Sequence, residues 1–140
     1  MTADQPRRAL LDTSVLIDFP AAQVAEAADE VAVSAVSIAE LQYGVTAAAD
    51  PVAQMYRRRR VQTILEHFEV LAFDTASAEY YGALAALVRH HGRNPRPRRM
   101  DLQIAATAAR HGLRLLTRNG ADFRGLESAL TVIDLGVPAG

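Results

Sequence analysis

The chain has 140 residues, half of them hydrophobic, a formal net charge of -1, no cysteine and no lysine. That length and apolar content suit one α/β domain over residues 1–140 and exclude a disordered chain. The missing cysteines exclude disulfides and zinc–thiolate sites, and the near-zero charge excludes coating of nucleic acid by bulk attraction.

The first expected strand covers 9–12, where the apolar run Ala9-Leu10-Leu11 ends on Asp12. A short helical segment over 14–19 comes next, and Pro20 breaks it. Residues 21–29 read as an alanine-rich helix. "VAVSAVS" holds a short strand, and a helix covers 37–46. Pro51 suits the first turn of a further helix over 52–67. "EVLAF" is a strand, and a long helix over 75–91 ends at Gly92. "GRNPRPRR" is expected to be non-helical, because each proline biases the residue before it toward extended backbone. A helix over 101–111 closes at Gly112, "LRLLT" is a strand, and "LTVID" holds the last one. Strands alternating with helices imply a mainly parallel sheet covered on both faces. The apolar stretch near the N-terminus is interrupted by Asp12 and Asp18, and no uncharged run is long enough to span a membrane. A soluble, cytoplasmic protein with no membrane partner is expected.

Four acids stand in unfavourable settings. Ligands of open α/β sheets sit beyond the carboxyl ends of the strands. Asp12 ends the first strand, and Asp122 lies a few residues past "LRLLT". Each alone also suits a turn or a helix cap. Asp101 opens a helix, where the dipole favours an acid, yet Ile104, Ala105 and Ala108 share its face. An acid on that apolar stripe needs a partner or a cation. Glu40 fits the capping box Ser37-Ile38-Ala39-Glu40, but it lies in an apolar stretch with no arginine between Arg8 and Arg57. Clustered carboxylates repel one another, and a hard divalent cation reverses that cost. Oxygen ligands without cysteine or histidine point to Mg²⁺, with Mn²⁺ as a substitute, rather than zinc. Such an ion eases the ionisation of a water and polarises a phosphoryl oxygen.

The basic residues are unevenly placed. Arg57 to Arg60 are consecutive, and Arg93, Arg96, Arg98 and Arg99 crowd "RNPRPRR". Local patches of this kind grip phosphates; on a helix they also serve simply as a solvated face. Arg96, Arg98 and Arg99 are the candidates for contact with a phosphate backbone near Asp101. His67, His90, His91 and His111 form no acid–base pair, and the last three fall at predicted helix ends, so none is assigned catalysis.

Four stretches, in order, resemble the motifs of the PIN domain family of metal-dependent ribonucleases, and in particular the VapC toxins of bacterial toxin–antitoxin pairs. "LLDTSVLIDF" is similar to the opening strand, with Asp12 as its acid and Thr13 as its hydroxyl residue. "SAVSIAELQYGV" supplies Glu40, "RRMDLQIAATAARHG" supplies Asp101, and "LLTRNGADF" supplies Thr117, Asn119 and Asp122. The resemblance covers nearly the whole chain. It implies a three-layer α/β/α sandwich, Mg²⁺-dependent endonucleolytic cleavage of RNA with 5′-phosphate and 3′-hydroxyl products, a homodimer, and a VapB-type antitoxin as inhibitor. It implies Asp12, Glu40, Asp101 and Asp122 as catalytic metal ligands. Thr13 and Ser14 are then expected to hydrogen-bond the carboxylates, or to cap the helix after them. Val15, Leu16, Phe19, Leu41, Tyr43 and Met55 are the candidates for a groove that takes a partner helix; the alternative is that they are core, which is the favoured reading for Leu16 and Leu41.

Other α/β readings fit less well. A haloacid-dehalogenase-type phosphatase needs an aspartate two residues after the first, where Ser14 stands, and a receiver domain needs a lysine. The alternative that survives is a non-catalytic PIN-like module that binds RNA or protein.

Overall fold

The computed structural model describes residues 5–138. Five strands form one sheet in the order β3-β2-β1-β4-β5: β1 Arg8–Leu11, β2 Glu30–Ser34, β3 Glu69–Leu71, β4 Arg114–Thr117 and β5 Val132–Asp134. Every pairing is parallel, so the sheet expected to be mainly parallel is wholly so. Among the described residues the six α-helices are α1 Thr13–Ile17, α2 Ala21–Ala27, α3 Ala35–Ala47, α4 Pro51–His67, α5 Thr75–His90 and α6 Arg99–Arg110. Among the described residues, no helix is long and apolar enough to cross a membrane.

Side chains alternate across a strand, and here the alternation builds two cores. Leu10, Ala32 and Leu115 face α5 and α6, where Leu84, Leu102 and Ile104 meet them. Ala9, Leu11, Val33 and Leu116 face the other way, against Val15 and Leu16 of α1, Leu41 and Val45 of α3, and Val61 and Ile64 of α4. The result is the expected three-layer sandwich. Each buried leucine contributes about 1.5–3 kcal/mol of transfer free energy, which is why β1 carries almost nothing but apolar side chains.

Local chemistry sets several helix ends. Asp50 accepts the Val52 amide at 3.0 Å, with Pro51 in the first turn of α4. Asp74 accepts the Ser77 amide at 2.8 Å, and its carboxyl is held below the usual carboxylate range by the hydrogen bonds from Ser77. Helices α5 and α6 end on Gly92 and Gly112, both at positive φ; Arg93 and Leu113 donate back to Val88 and Ala108. Only a residue without Cβ takes that left-handed step at low cost.

Two expectations shift. Helix α3 begins at Ala35, not Ser37, because Ser34 at the end of β2 already caps it by accepting the Val36 amide at 3.0 Å. The capping box at Ser37 therefore does not form, and Ser37 is buried inside the helix. The "GRNPRPRR" stretch is not wholly extended: Arg96–Arg98 make a 3-10 turn leading directly into α6 at Arg99. Prolines tolerate the first positions of such a turn, where no amide hydrogen is needed.

The strand order creates a crevice. The chain runs from β1 to β2 and β3 on one side, then returns to add β4 and β5 on the other. The direction of winding reverses between β1 and β4, so the sheet opens beyond their carboxyl ends.

Candidate active site

Asp12 leaves β1 at that reversal point, and its amide still pairs with the Leu116 carbonyl of β4 at 2.9 Å. It occupies the N-cap position of α1 but makes no side-chain cap. Its carboxylate, only 5% exposed, turns instead to neighbouring hydroxyls. Oδ2 accepts Ser14 Oγ at 2.7 Å and Thr117 Oγ1 at 2.8 Å. Each hydroxyl in turn accepts a backbone amide, Ser14 from Arg118 at 3.1 Å and Thr117 from Asn119 at 3.0 Å. Those amides orient both hydroxyl hydrogens toward Asp12. Oδ1 takes no hydrogen bond among the described residues.

Glu40 projects from α3 toward the first turn of α1. Thr13 Oγ1 lies 2.7 Å from Glu40 Oε1 and 2.8 Å from Ser37 Oγ. Ser37 thus joins the site as a buried contact of Thr13. The sequence signal was present as the serine three residues before Glu40, but it reads more naturally as a cap.

Asp101 lies in the first turn of α6, on the side facing the crevice. Its carboxyl is raised from 3.8 to about 6, first by burial and then by the charges of Asp12, Asp122 and Glu40. The four acids are therefore within electrostatic reach of one another. Asp122 is carried by a 3-10 turn, Gly120–Phe123, and its side chain is one-quarter exposed. Asn119 precedes that turn at the surface, with no side-chain cap.

Arg98 sits differently from its neighbours. Its Nη1 lies 3.0 Å from Asp122 Oδ1 and 3.9 Å from Asp101 Oδ2. The guanidinium counters the acids rather than standing free, whereas Arg96 and Arg99 are exposed. Among the described residues, no three carboxylate or imidazole groups converge closely enough to hold one ion directly.

The apolar candidates divide. Val15, Leu16 and Leu41 are buried core and cannot line a groove. Phe19, Tyr43 and Met55 are exposed, as are Ile17, Val52 and Tyr56 nearby in the sequence of α1 and α4. The four histidines are exposed or half-buried at the ends of α4, α5 and α6.

An open parallel α/β/α sandwich whose carboxylates gather where the strand winding reverses defines an acid-site fold suited to phosphate-ester chemistry. A family model described as the PIN domain matches residues 9–127, and the chain belongs to that family. It is 37% identical over 116 residues to Ribonuclease VapC4 of Mycobacterium tuberculosis, covering 81% of this chain and 87% of the relative. Ribonuclease VapC5 of the same organism is 34% identical over 130 residues, 91% of this chain and 93% of the relative. Among solved structures, a VapBC-5 toxin–antitoxin family member from M. tuberculosis matches with a TM-score of 0.79 and 33% identity, covering 94% of this chain and all of that one. FitAcB from Neisseria gonorrhoeae matches with a TM-score of 0.74 and 28% identity, over 90% and 96%.

Proposed function

We propose that this protein is a metal-dependent endoribonuclease, the VapC-type toxin of a toxin–antitoxin pair, acting as one domain over residues 1–140. The observation that carries the reading is the gathering of Asp12, Glu40, Asp101 and Asp122 where the strand winding reverses, in a chain of the PIN family; burial and the three other acids raise the Asp101 carboxyl to about 6. Unrelieved repulsion of that kind is the cost that a bound cation removes.

The donor set fits a hard divalent ion. It is all carboxylate oxygen, with no histidine or cysteine. Asp12 Oδ1 and Glu40 Oε2 are uncommitted among the described residues. The lack of a closed cage suits Mg²⁺, which keeps several waters and takes only one or two carboxylates directly. Mg²⁺ is the ion of choice and Mn²⁺ the expected substitute. Asp12, Glu40, Asp101 and Asp122 would hold it, and when bound it would activate water and polarise a phosphoryl oxygen. The chain's own residues do the positioning. Ser14 and Thr117 pin one oxygen of Asp12, Thr13 pins one of Glu40, and the first turn of α6 presents Asp101. Asn119 stands beside the Asp122 turn, where its amide group can orient water. Arg96 and Arg99 extend positive charge beyond Asp101 toward an RNA backbone.

The partner we infer is a VapB-type antitoxin, with a second copy of the chain completing a homodimer. The exposed Ile17, Phe19, Tyr43 and Met55 offer apolar contact. The Arg98–Asp122 pair is an internal example of a guanidinium satisfying these acids, which is the chemistry an inhibitor arginine would use.

Incubation of the purified chain with structured RNA, with Mg²⁺ and then with EDTA, tests the activity. Sequencing the new RNA ends identifies the cut. Cleavage that is Mg²⁺-dependent and lost in Asp12→Asn is expected. RNA that is bound but never nicked would establish the non-catalytic binding module instead.

A further inference from the structure

The four consecutive arginines of α4 do not act as one patch. Residues three apart share a helix face, so Arg57 and Arg60 lie together, while Arg58 and Arg59 point elsewhere; Arg57, Arg58 and Arg59 are exposed and Arg60 is half-buried. Arg57 and Arg60 line an open cavity of ≈ 430 Å³ together with Thr13 and Glu40 of the acid site. Ile17 and Leu41 give it an apolar lining, and Gly44 completes the wall. Arg57 Nη1 donates to the Gly44 carbonyl at 2.7 Å, which holds its guanidinium against α3. Among the described residues neither Arg57 nor Arg60 has a carboxylate within salt-bridge distance.

We propose that this cavity is a phosphate subsite, in which Arg57 and Arg60 hold the RNA backbone one step away from the bond presented to the acids. The inference rests on the endoribonuclease reading. Two uncompensated guanidiniums on one face are suited to forked hydrogen bonding of a phosphate. They also answer an electrostatic need. Four carboxylates repel an approaching polyanion, and a cationic wall beside Glu40 offsets that repulsion where the strand must enter. The apolar lining suits the face of a base or sugar. A purely apolar partner helix fits less well, because it would strip water from two unpaired cations.

The split face supplies its own control. The full chain, with Mg²⁺, is compared as wild type, R57Q/R60Q, R58Q/R59Q and Gly44→Leu. The probe is a labelled single-stranded RNA carrying the site that the wild type cuts. Binding is read in an Asp12→Asn background, so the RNA stays intact, and cleavage kinetics are read without it. R57Q/R60Q should raise KM about 10- to 100-fold while kcat stays within about threefold. It should also flatten the slope of log K against log salt by about 0.7, the value for one phosphate contact on a single strand. R58Q/R59Q should leave both quantities near wild type. A Cβ at Gly44 meets nothing within 4 Å, and leucine favours a helix interior over glycine. Gly44→Leu should therefore melt at or above the wild-type temperature, yet raise KM by filling the cavity without altering charge.

Equal salt slopes for the two double variants would overturn the subsite, as would an unchanged KM in Gly44→Leu. RNA binding that is untouched while a partner protein no longer binds would reassign the cavity to that partner. If the wild type cuts no RNA at all, the endoribonuclease reading fails first and takes the subsite with it.

Discussion

Asp101 shows at the scale of one residue how the site stores its need for a cation. Its folded carboxyl titrates at about 6 against 3.8 for the ordinary group. The folded state thus keeps a proton that the unfolded state has already lost. Stability of the ion-free protein should fall as pH rises from about 4 to about 6 and level off above. Asp101→Asn should remove most of that slope and stabilise the ion-free fold at pH 7 by about 1–2 kcal/mol after solvent screening. The same variant, like Asp12→Asn, should lower Mg²⁺-dependent cleavage at least about 100-fold. Denaturant midpoints of wild type and variant from pH 4 to 7 check the linkage; parallel curves would mean that Asp101 does not carry the repulsion. Arg98 permits a companion test. Its pair with Asp122 is partly exposed, so Arg98→Gln should change stability by no more than about 0.5 kcal/mol. Removing this resident cation should tighten Mg²⁺ binding several-fold in a calorimetric titration, and weaker binding would show that Arg98 assists the ion rather than competing with it. Asp101 was legible in the sequence, because Ile104, Ala105 and Ala108 fix its phase. The Thr117–Asp12 hydrogen bond was not legible from spacing, since it joins residues 105 apart and needs the β1–β4 pairing to exist. Only the family resemblance brought Thr117 forward; Arg98 had a local signal in its i,i+3 spacing from Asp101, but its closer pairing with Asp122 had none.

Among the elements, the turn that carries Asp122 is the most finely set. Asp134, at the end of β5, accepts the Gly120 amide at 3.0 Å and the Gly136 amide at 2.8 Å. One carboxylate thus ties the 3-10 turn to the edge strand. A Cβ on Gly120 would lie 2.6 Å from Asp134 Oδ2 and 3.0 Å from its Cβ, so side-chain rotation alone does not relieve the clash. Gly120→Ala is expected to cost about 1–3 kcal/mol and to displace Asp122, with weakened Mg²⁺ binding alongside a lower melting temperature. A melting temperature and an ion affinity both equal to wild type would show that the turn is not braced in this way. The sequence marks this turn through Asn119-Gly120 but not its bracing, which again depends on strand order. The α3 start has a similar cause. Ser34 and Ser37 are both plausible caps three residues apart, and only the end of β2 decides between them. Strands and helices with clear periodicity were readable along the chain; junctions where one element runs directly into the next were not.

At the scale of the whole molecule, the crevice exists because two unlike helix layers share one thin sheet. The α5–α6 layer carries Asp101, and the α1–α4 layer carries Glu40, while Asp12 leaves the strand between them. If either layer loosened alone, the acids would separate. The single domain proposed above has a direct consequence for stability. Leu10 and Leu11 are adjacent in β1 and fully buried, yet they face opposite cores. Truncating either to alanine should cost about 2–5 kcal/mol, because the rigid sheet limits collapse of the cavity. In a cooperative unit both losses must appear in the same transition. Urea unfolding of Leu10→Ala and Leu11→Ala, followed in parallel by far-ultraviolet circular dichroism and tyrosine fluorescence, is expected to give a single coincident transition for each. Both midpoints should fall, with the slope against urea unchanged. A Leu11→Ala protein that unfolds in two steps would show that the α1–α4 layer melts on its own. Glu40 would then be held by a separable layer, and the site would depend on a docking equilibrium rather than on the fold itself.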